Sequence, residues 1–149
     1  HAIGAGNVIF EIQQNSDTTY RVFDWNRVGL DGKPRELHVA QSMASIDFND
    51  FAPALVPGTQ VVRGDAVVRP LVDCPLFTVE QFIVSARRSA PLAPDAMHIL
   101  GVVSGEVIVH SATGPVSLRP GRFCLVPAGN AAQVEALADS SFLRVQAGR

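Results

Sequence analysis

The chain has 149 residues, of which 47% are hydrophobic and 17% are charged, and its net charge is −2. This composition excludes a disordered chain, and the length suffices for one domain or two small ones that bury roughly 70% of the unfolded surface. Because the charge is near zero and the arginines are scattered, we expect no nucleic-acid partner. We also expect no membrane association and a cytoplasmic protein, since no apolar run approaches about eighteen residues and no signal-peptide pattern occurs.

The first predicted element is a β-hairpin. Residues 8–13 alternate in polarity and predict a strand. Residues 15–17, Asn-Ser-Asp, favour a turn, and the β-formers of residues 18–23 predict a second strand. Segment 11–27, EIQQNSDTTYRVFDWNR, is also the most polar and aromatic stretch of the chain.

Three side chains of this hairpin are expected to point into one cavity. They are the carboxylate of Glu11, the amide of Gln13 and the guanidinium of Arg21. We interpret this arrangement as a polar site. The alternative is that Glu11 and Arg21 form an ordinary cross-strand ion pair, worth about 0.2–1 kcal/mol.

The string HAIGAGNVIFEIQQNSDTTYRVFDWNR, followed by DGKPRELH, resembles the type I phosphomannose isomerases. These are zinc-dependent cupin enzymes that interconvert mannose 6-phosphate and fructose 6-phosphate. The resemblance covers the first 50 residues strongly and the remainder as a weaker second cupin. It implies a carboxy-terminal part of such an enzyme and a small-molecule sugar phosphate as substrate.

The resemblance identifies His1 as a metal ligand of the zinc site. The family's other ligands, a glutamine, a histidine and a glutamate from earlier strands, have no counterpart in this sequence. Because a catalytic zinc usually needs three or more protein ligands, His1 alone does not make a site, and a terminal residue of no consequence is the alternative. We expect a fragment that associates with a missing amino-terminal part or forms a homo-oligomer.

The resemblance also implies proton transfer between two sugar carbons through a cis-enediol. Arg21 is expected to stabilise the developing oxyanion, because its charge needs no protonation step. Glu11 orders Arg21 or the substrate, or transfers the proton if its pKa is raised. Gln13 and Asp17 are expected to bind substrate, with Asp17 also holding the turn or Arg21.

Residues 24–38, DWNRVGLDGKPRELH, combine turn residues with a short strand predicted at Arg35–His38. In an isomerase this segment would form part of the substrate rim. Its cations, Arg27, Lys33 and Arg35, are candidate phosphate partners, although a solvated loop is an equal alternative for each.

A helical turn or two is predicted at Ala40–Ile46, and the Pro57-Gly58 break marks a domain boundary. Residues 1–57 are therefore expected to be the carboxy-terminal part of the catalytic cupin. Residues 58–149 are expected to form a second, degenerate cupin-like domain.

The second region is predicted to be all-β, as a sandwich or a jelly-roll barrel of the cupin type. Its predicted strands are Gln60–Arg63, Ala66–Leu71, Phe77–Ala86, Ile99–Val103, Glu106–His110, Val116–Leu118, Phe123–Val126, Ala132–Leu137 and Phe142–Val145. The fold class of the whole chain is thus mainly β, with a truncated first cupin and a short helical segment.

The second cupin is expected to hold no metal. Gly121–Gly129 has the glycine and proline spacing of the second cupin motif, but Ala132 stands where the motif has histidine. In the first motif His98 occupies the glutamate position, and Leu92 and Pro94 fall near the histidine pair. His98 and His110 are interpreted as satisfied or surface histidines, and the two cysteines, Cys74 and Cys124, as reduced core residues.

Three classes of function remain open. The first is part of a mannose-6-phosphate isomerase, and the second is a non-catalytic cupin that binds a sugar phosphate or regulates a partner. The third treats residues 59–149 as a structural barrel for dimerisation or as a lid.

Overall fold

The computed structural model describes residues 3–13, 15, 18–49 and 54–148. The chain divides into two compact units, His1–Pro53 and Ala54–Arg149. The two cupin domains expected at 1–57 and 58–149 stay a prediction, because compactness does not show which segments fold together in a cupin.

The described part of the first unit contains a helix, α1 (Val39–Ser45), and an isolated antiparallel bridge between Val28 and Pro34. The helix confirms the helical turns predicted at Ala40–Ile46. Its backbone continues from His38, whose carbonyl accepts a hydrogen bond from the Ser42 N–H at 2.8 Å.

The predicted hairpin is wrong for the residues that the structure describes. Neither residues 8–13 nor residues 18–23 form a strand, and the strand predicted at Arg35–His38 is also absent. Alternating polarity produces a strand only where a neighbour completes the hydrogen-bond ladder and an apolar layer covers one face. Neither condition is met within the described part of this unit, where the side chain of Val8 is 98% exposed.

Ten strands form in the described residues 54–148. They are β1 (Val61–Arg63), β2 (Ala66–Asp73), β3 (Phe77–Val84), β4 (Ser89–Leu92), β5 (His98–Ser104), β6 (Val107–Ser111), β7 (Gly114–Leu118), β8 (Phe123–Val126), β9 (Ala132–Ala136) and β10 (Ser140–Ala147). A six-stranded sheet has the order β1-β2-β3-β10-β5-β8, and a four-stranded sheet has the order β4-β9-β6-β7. All pairings are antiparallel.

All nine predicted strands are present, with ends that differ by a few residues. Strand β4, Ser-Ala-Pro-Leu, was not predicted because Pro91 cannot donate to a ladder and reads as a loop residue. The structure tolerates Pro91 because β4 is the edge strand of the smaller sheet and pairs only with β9.

The core of the second unit lies on the inward faces of both sheets. Phe82 and Phe142 are directly paired across β3 and β10, and their rings stack with centroids 5.0 Å apart. The core continues through small and branched residues of both sheets: Ala66, Val68, Val84, Ala90, Leu92, Leu100, Val102, Val107, Val109, Leu118, Val126, Ala132, Val134 and Ala136.

The turn between β5 and β6 requires glycine. Gly105 has φ +77°, and a Cβ there would lie 2.2 Å from the Ser140 Oγ and 2.5 Å from the Asp139 carbonyl oxygen. Ser140 is itself buried and donates its hydroxyl to the Ala138 carbonyl at 2.7 Å. The close approach of these two turns therefore leaves no room for a side chain at residue 105.

Among the described residues, no helix is long and apolar enough to cross a membrane.

Candidate functional site

Arg21 is half-buried, and its backbone is held on both sides by His38. The Arg21 N–H donates to the Nδ1 of His38 at 3.3 Å, and the Arg21 carbonyl accepts from the His38 N–H at 2.7 Å. Because Nδ1 is the acceptor, the proton of a neutral His38 ring sits on Nε2. The ring of Tyr20 lies 6.0 Å from that of His38, centroid to centroid. The two hydrogen bonds hold the backbone of Arg21 against His38.

The predicted convergence of Glu11 and Gln13 with Arg21 on one cavity is not seen among the described residues. Glu11 and Gln13 are exposed, and within the described ranges no ion pair joins Glu11 to Arg21. The ordinary cross-strand ion pair is therefore not what the structure shows. Asp17 and His1 lie outside the described residues.

A carboxylate that the sequence did not single out holds two arginines of the same segment. Asp24 is 6% exposed and accepts hydrogen bonds from Arg35 Nε at 2.6 Å, Arg35 Nη2 at 2.5 Å and Arg27 Nη2 at 2.7 Å. The hydrogen bond from Arg35 is the main reason that the pKa of Asp24 falls from 3.8 to about 2. Asp24 is ionised at neutral pH and holds the two guanidiniums as a bidentate and a single contact.

Two of the three candidate phosphate partners, Arg27 and Arg35, belong to this cluster. Arg35 donates two of its five N–H groups to Asp24, and Arg27 donates one. Both arginines therefore hold the loop, and only their remaining donors are available to a ligand. Lys33 is exposed, and its backbone N–H donates to Asp31 Oδ1 at 3.1 Å within a tight turn. The signal that reveals Asp24 in the sequence is its position three residues before Arg27.

The described residues contain no group of three or more histidine, cysteine, aspartate or glutamate side chains that could hold a metal ion. His98 is fully buried, and its Nε2 lies 2.7 Å from the Ala93 carbonyl, to which it donates. His110 is exposed and pairs with Glu135 at 2.8 Å. His110 is a surface histidine, as predicted. His98 is only partly satisfied, because its buried Nδ1 has no hydrogen-bond partner among the described residues.

The two cysteines are free thiols and are half-buried. Cys74 Sγ lies 3.3 Å from the Phe77 carbonyl, and burial raises the pKa of the Cys124 thiol. Neither is as deeply buried as the core residues, so their expected core position holds only in part.

Comparison with known proteins gives a consistent set of relatives, although no family model matches the chain. Mannose-6-phosphate isomerase ManA of Bacillus subtilis (strain 168) is 31% identical over 129 residues, which are 87% of this chain and 40% of that protein. Mannose-6-phosphate isomerase of Streptococcus mutans is 34% identical over 128 residues, which are 85% of this chain and 39% of that protein. The probable mannose-6-phosphate isomerase GmuF of Bacillus subtilis is 36% identical over 72% of this chain and 34% of its own length.

Solved structures show the same fold. The crystal structure of mannose 6-phosphate isomerase from Bacillus subtilis matches with a TM-score of 0.73 and 23% identity, over 89% of this chain and 41% of that one. An RmlC-like cupin from Shewanella frigidimarina matches with a TM-score of 0.55 and 13% identity, over 60% of this chain and 82% of that one. These likenesses confirm the predicted mainly β, cupin-like fold.

The chain spans about two fifths of the length of the first two curated relatives. Within that span the identity exceeds 30% over most of the chain. By these comparisons the chain is a homologue of part of the mannose-6-phosphate isomerases.

Proposed function

We propose that the protein carrying this chain is a mannose-6-phosphate isomerase, which interconverts mannose 6-phosphate and fructose 6-phosphate. The observation that carries the proposal is the identity of 31–36% to three relatives of that name over 72–87% of the chain. Residues 1–57 are assigned to the catalytic cupin, and residues 58–149 to a second, degenerate cupin. Since the chain spans only part of its relatives, the activity is assigned to the whole protein.

Arg21 is the residue proposed to stabilise the reaction's negative charge. Moving a proton between two neighbouring sugar carbons places charge on an enediolate oxygen, and a guanidinium beside that oxygen stabilises it without any change of protonation. The two backbone hydrogen bonds to His38 support this role, because they fix the starting point of the Arg21 side chain.

Glu11 and Gln13 are proposed to act on the substrate. Glu11 is exposed and forms no ion pair with Arg21 in the described ranges, which leaves its carboxylate for substrate hydroxyls or for proton transfer. Gln13 and Asp17 are proposed to bind hydroxyl groups. Lys33 is the more suitable phosphate partner, because Arg35 is already bound to Asp24 and acts mainly by holding the rim in place.

A zinc ion with His1 as one ligand is part of the proposal for the whole protein. The described residues do not fit a metal site by themselves, because they bring no three ligating side chains together. The remaining ligands would come from a part of the protein outside this chain. The roles proposed for Arg21, Glu11 and Lys33 use no metal. A cytoplasmic location belongs to the same proposal, as is usual for an enzyme of phosphorylated sugars.

The second candidate is a non-catalytic cupin that binds a sugar phosphate or serves as a structural module. It is favoured by the lack of a ligand cluster in the part of the chain that the structure describes. This candidate predicts that the rest of the protein lacks the metal-ligating glutamine, histidine and glutamate.

A coupled mannose-6-phosphate isomerase assay on the purified protein separates the two candidates, with zinc content and intact mass measured on the same sample. The isomerase proposal expects turnover with about one zinc per active unit, together with further polypeptide that supplies the other ligands. A single 149-residue species is expected to be inactive and free of zinc. An intact protein that binds sugar phosphate but never turns it over would instead establish the non-catalytic candidate.

A further inference from the structure

A cavity of about 750 Å³ opens among the strands of the six-stranded sheet in the second unit. Its lining comes from β1, β2, β3 and β10 and from the turns that follow β2 and β4. Glu80 of β3 and Arg144 of β10 are directly paired in its wall. Because side chains alternate along a strand, this pair lies on the same face as the core pair Phe82 and Phe142. The cavity therefore lies on the core-facing side of the sheet and is open to solvent.

Three ionised side chains line the wall of this cavity, of which Glu80 and Arg144 are largely buried and Arg63 is exposed. Glu80 is 8% exposed and accepts from Arg63 Nη1 at 2.8 Å, with Arg63 Nη2 also 2.8 Å from its other oxygen. Arg144 Nη2 donates to the same carboxylate, and the Arg144 side chain is 13% exposed. The Arg144 guanidinium lies over the Phe82 ring, 5.3 Å from its centroid, and its Nε has no hydrogen-bond partner among the described residues. Burial lowers the pKa of this guanidinium.

Stability alone does not account for this triad. Removing ions from water is costly, and buried ion triads can often be replaced by packed apolar side chains with no loss of stability. Charged groups retained in a cavity of small-molecule size more often mark a binding site. The Glu80 and Arg144 pair is largely buried and faces this cavity, and the more exposed Arg63 adds a second guanidinium at its edge.

The charges of the lining indicate which ligand fits. The cavity carries two arginines and three acidic residues, so its net charge is −1. Both guanidiniums are already bound to Glu80, and a phosphate or carboxylate would have to displace that contact against a net negative lining. A neutral hydroxyl group meets no such cost, because it donates to a carboxylate and accepts from a guanidinium at the same time.

The remaining lining is consistent with a compact polyol. Thr78 and Gln146 add a hydroxyl and an amide on the facing strands, while Pro70, Val72 and Ala93 supply apolar surface for C–H groups. The volume lies within the roughly 300–1,000 Å³ of ordinary small-molecule sites. A monosaccharide with its shell of bridging water fits this space.

We propose that this cavity binds an uncharged polyhydroxylated molecule of monosaccharide size, with Glu80 and Asp95 accepting from its hydroxyls and Arg144 donating to them. The site uses none of the residues assigned to isomerisation. The cavity also differs from the proposed isomerisation site in its ligand, because it favours a neutral sugar over a phosphorylated one.

The test is a titration of the protein with D-mannose and, separately, with D-fructose. Binding is measured by calorimetry and by the Nε–H signal of Arg144 in a ¹⁵N NMR spectrum. We expect saturable binding of a neutral sugar that shifts this signal, and no comparable binding of inorganic phosphate. Absence of saturable sugar binding up to about 10 mM would overturn the proposal. So would binding of inorganic phosphate in place of the sugars.

Two further variants keep the test independent of folding. Asp95→Asn removes a carboxylate in an exposed turn of the lining and is expected to weaken sugar binding about tenfold, since hydrogen bonds to a charged group are the stronger ones. Asp65→Asn is the matched control, because Asp65 is an exposed carboxylate outside the cavity. Equal affinities of Asp95→Asn and Asp65→Asn would contradict the assignment of the site. Neither measurement depends on isomerase turnover.

Discussion

Replacing Glu80 by glutamine is expected to destabilise the second unit by about 3–5 kcal/mol. The substitution removes the shared carboxylate and leaves the guanidinium of Arg144, whose side chain is 13% exposed, without a compensating charge. Arg63 contributes less to this cost, because its side chain is 45% exposed and water can solvate it. With an m-value on the order of 1.5 kcal/mol per molar urea for a unit of this size, the midpoint of urea unfolding should fall by roughly 2–3 M.

The measurement is urea unfolding followed by far-UV circular dichroism, with two companion variants. Arg63→Gln should cost about 1 kcal/mol or less, because Glu80 keeps Arg144 as its partner. The double variant Glu80→Leu/Arg144→Met removes both buried charges and should recover most of the loss. An unchanged midpoint for Glu80→Gln, or a double variant as unstable as the single one, would refute the reasoning from an uncompensated buried charge.

Three further outcomes are expected. Gly105→Ala should cost at least about 2 kcal/mol, because the residue has φ +77° and the added Cβ meets backbone, whereas Gly58→Ala, which enters open space, should change stability by less than about 1 kcal/mol in urea unfolding. Phe142→Ala should cost about 3–5 kcal/mol by the same assay, since the ring is fully buried. The pKa of Asp24 is about 2, below its usual 3.8, so its stabilisation is present above about pH 4 and is lost as the pH falls through 2. Acid titration of the fluorescence of Trp25, the single tryptophan, should show this loss in the native protein and not in Asp24→Asn.

The strands of the second unit were predictable because their signal is local. Residues 123–126, for example, form a short apolar run that ends at Pro127, and the structure places β8 at Phe123–Val126. The hairpin of the first unit shows the limit of this signal. Its alternating polarity is compatible with a strand. A strand also needs a neighbouring strand to complete its hydrogen bonds, and the local sequence does not identify that neighbour.

The two charge clusters required the three-dimensional structure. Arg144 and Glu80 are separated by 64 residues and meet only because β10 pairs with β3. The sequence does carry a partial signal, because Glu80 has the same strand parity as Phe82, and Arg144 has the same parity as Phe142. A charged residue on the apolar face of a strand indicates either a partner or a cavity, and in this protein both are present.

The arginines around Asp24 were predicted as phosphate partners, but they bind a carboxylate of the protein instead. Sequence reasoning treated the arginines of residues 24–38 as free cations, because a phosphate and a carboxylate attract a guanidinium equally well. The structure shows that Arg35 and Arg27 are bound by Asp24 within the same segment. Charge alone therefore did not distinguish a ligand-binding arginine from one that holds a loop.

The most direct test of the proposed function is the turnover of Arg21→Ala in the coupled mannose-6-phosphate isomerase assay, using the protein that carries this chain. The account predicts that kcat falls roughly 10²–10³-fold while the bound metal is unchanged, because the lost group acts on the developing oxyanion. Arg119→Ala, which removes an exposed arginine of the second unit, should leave kcat unaltered. A kcat within roughly twofold of the native value for Arg21→Ala, or an intact protein with no isomerase activity, would contradict the account.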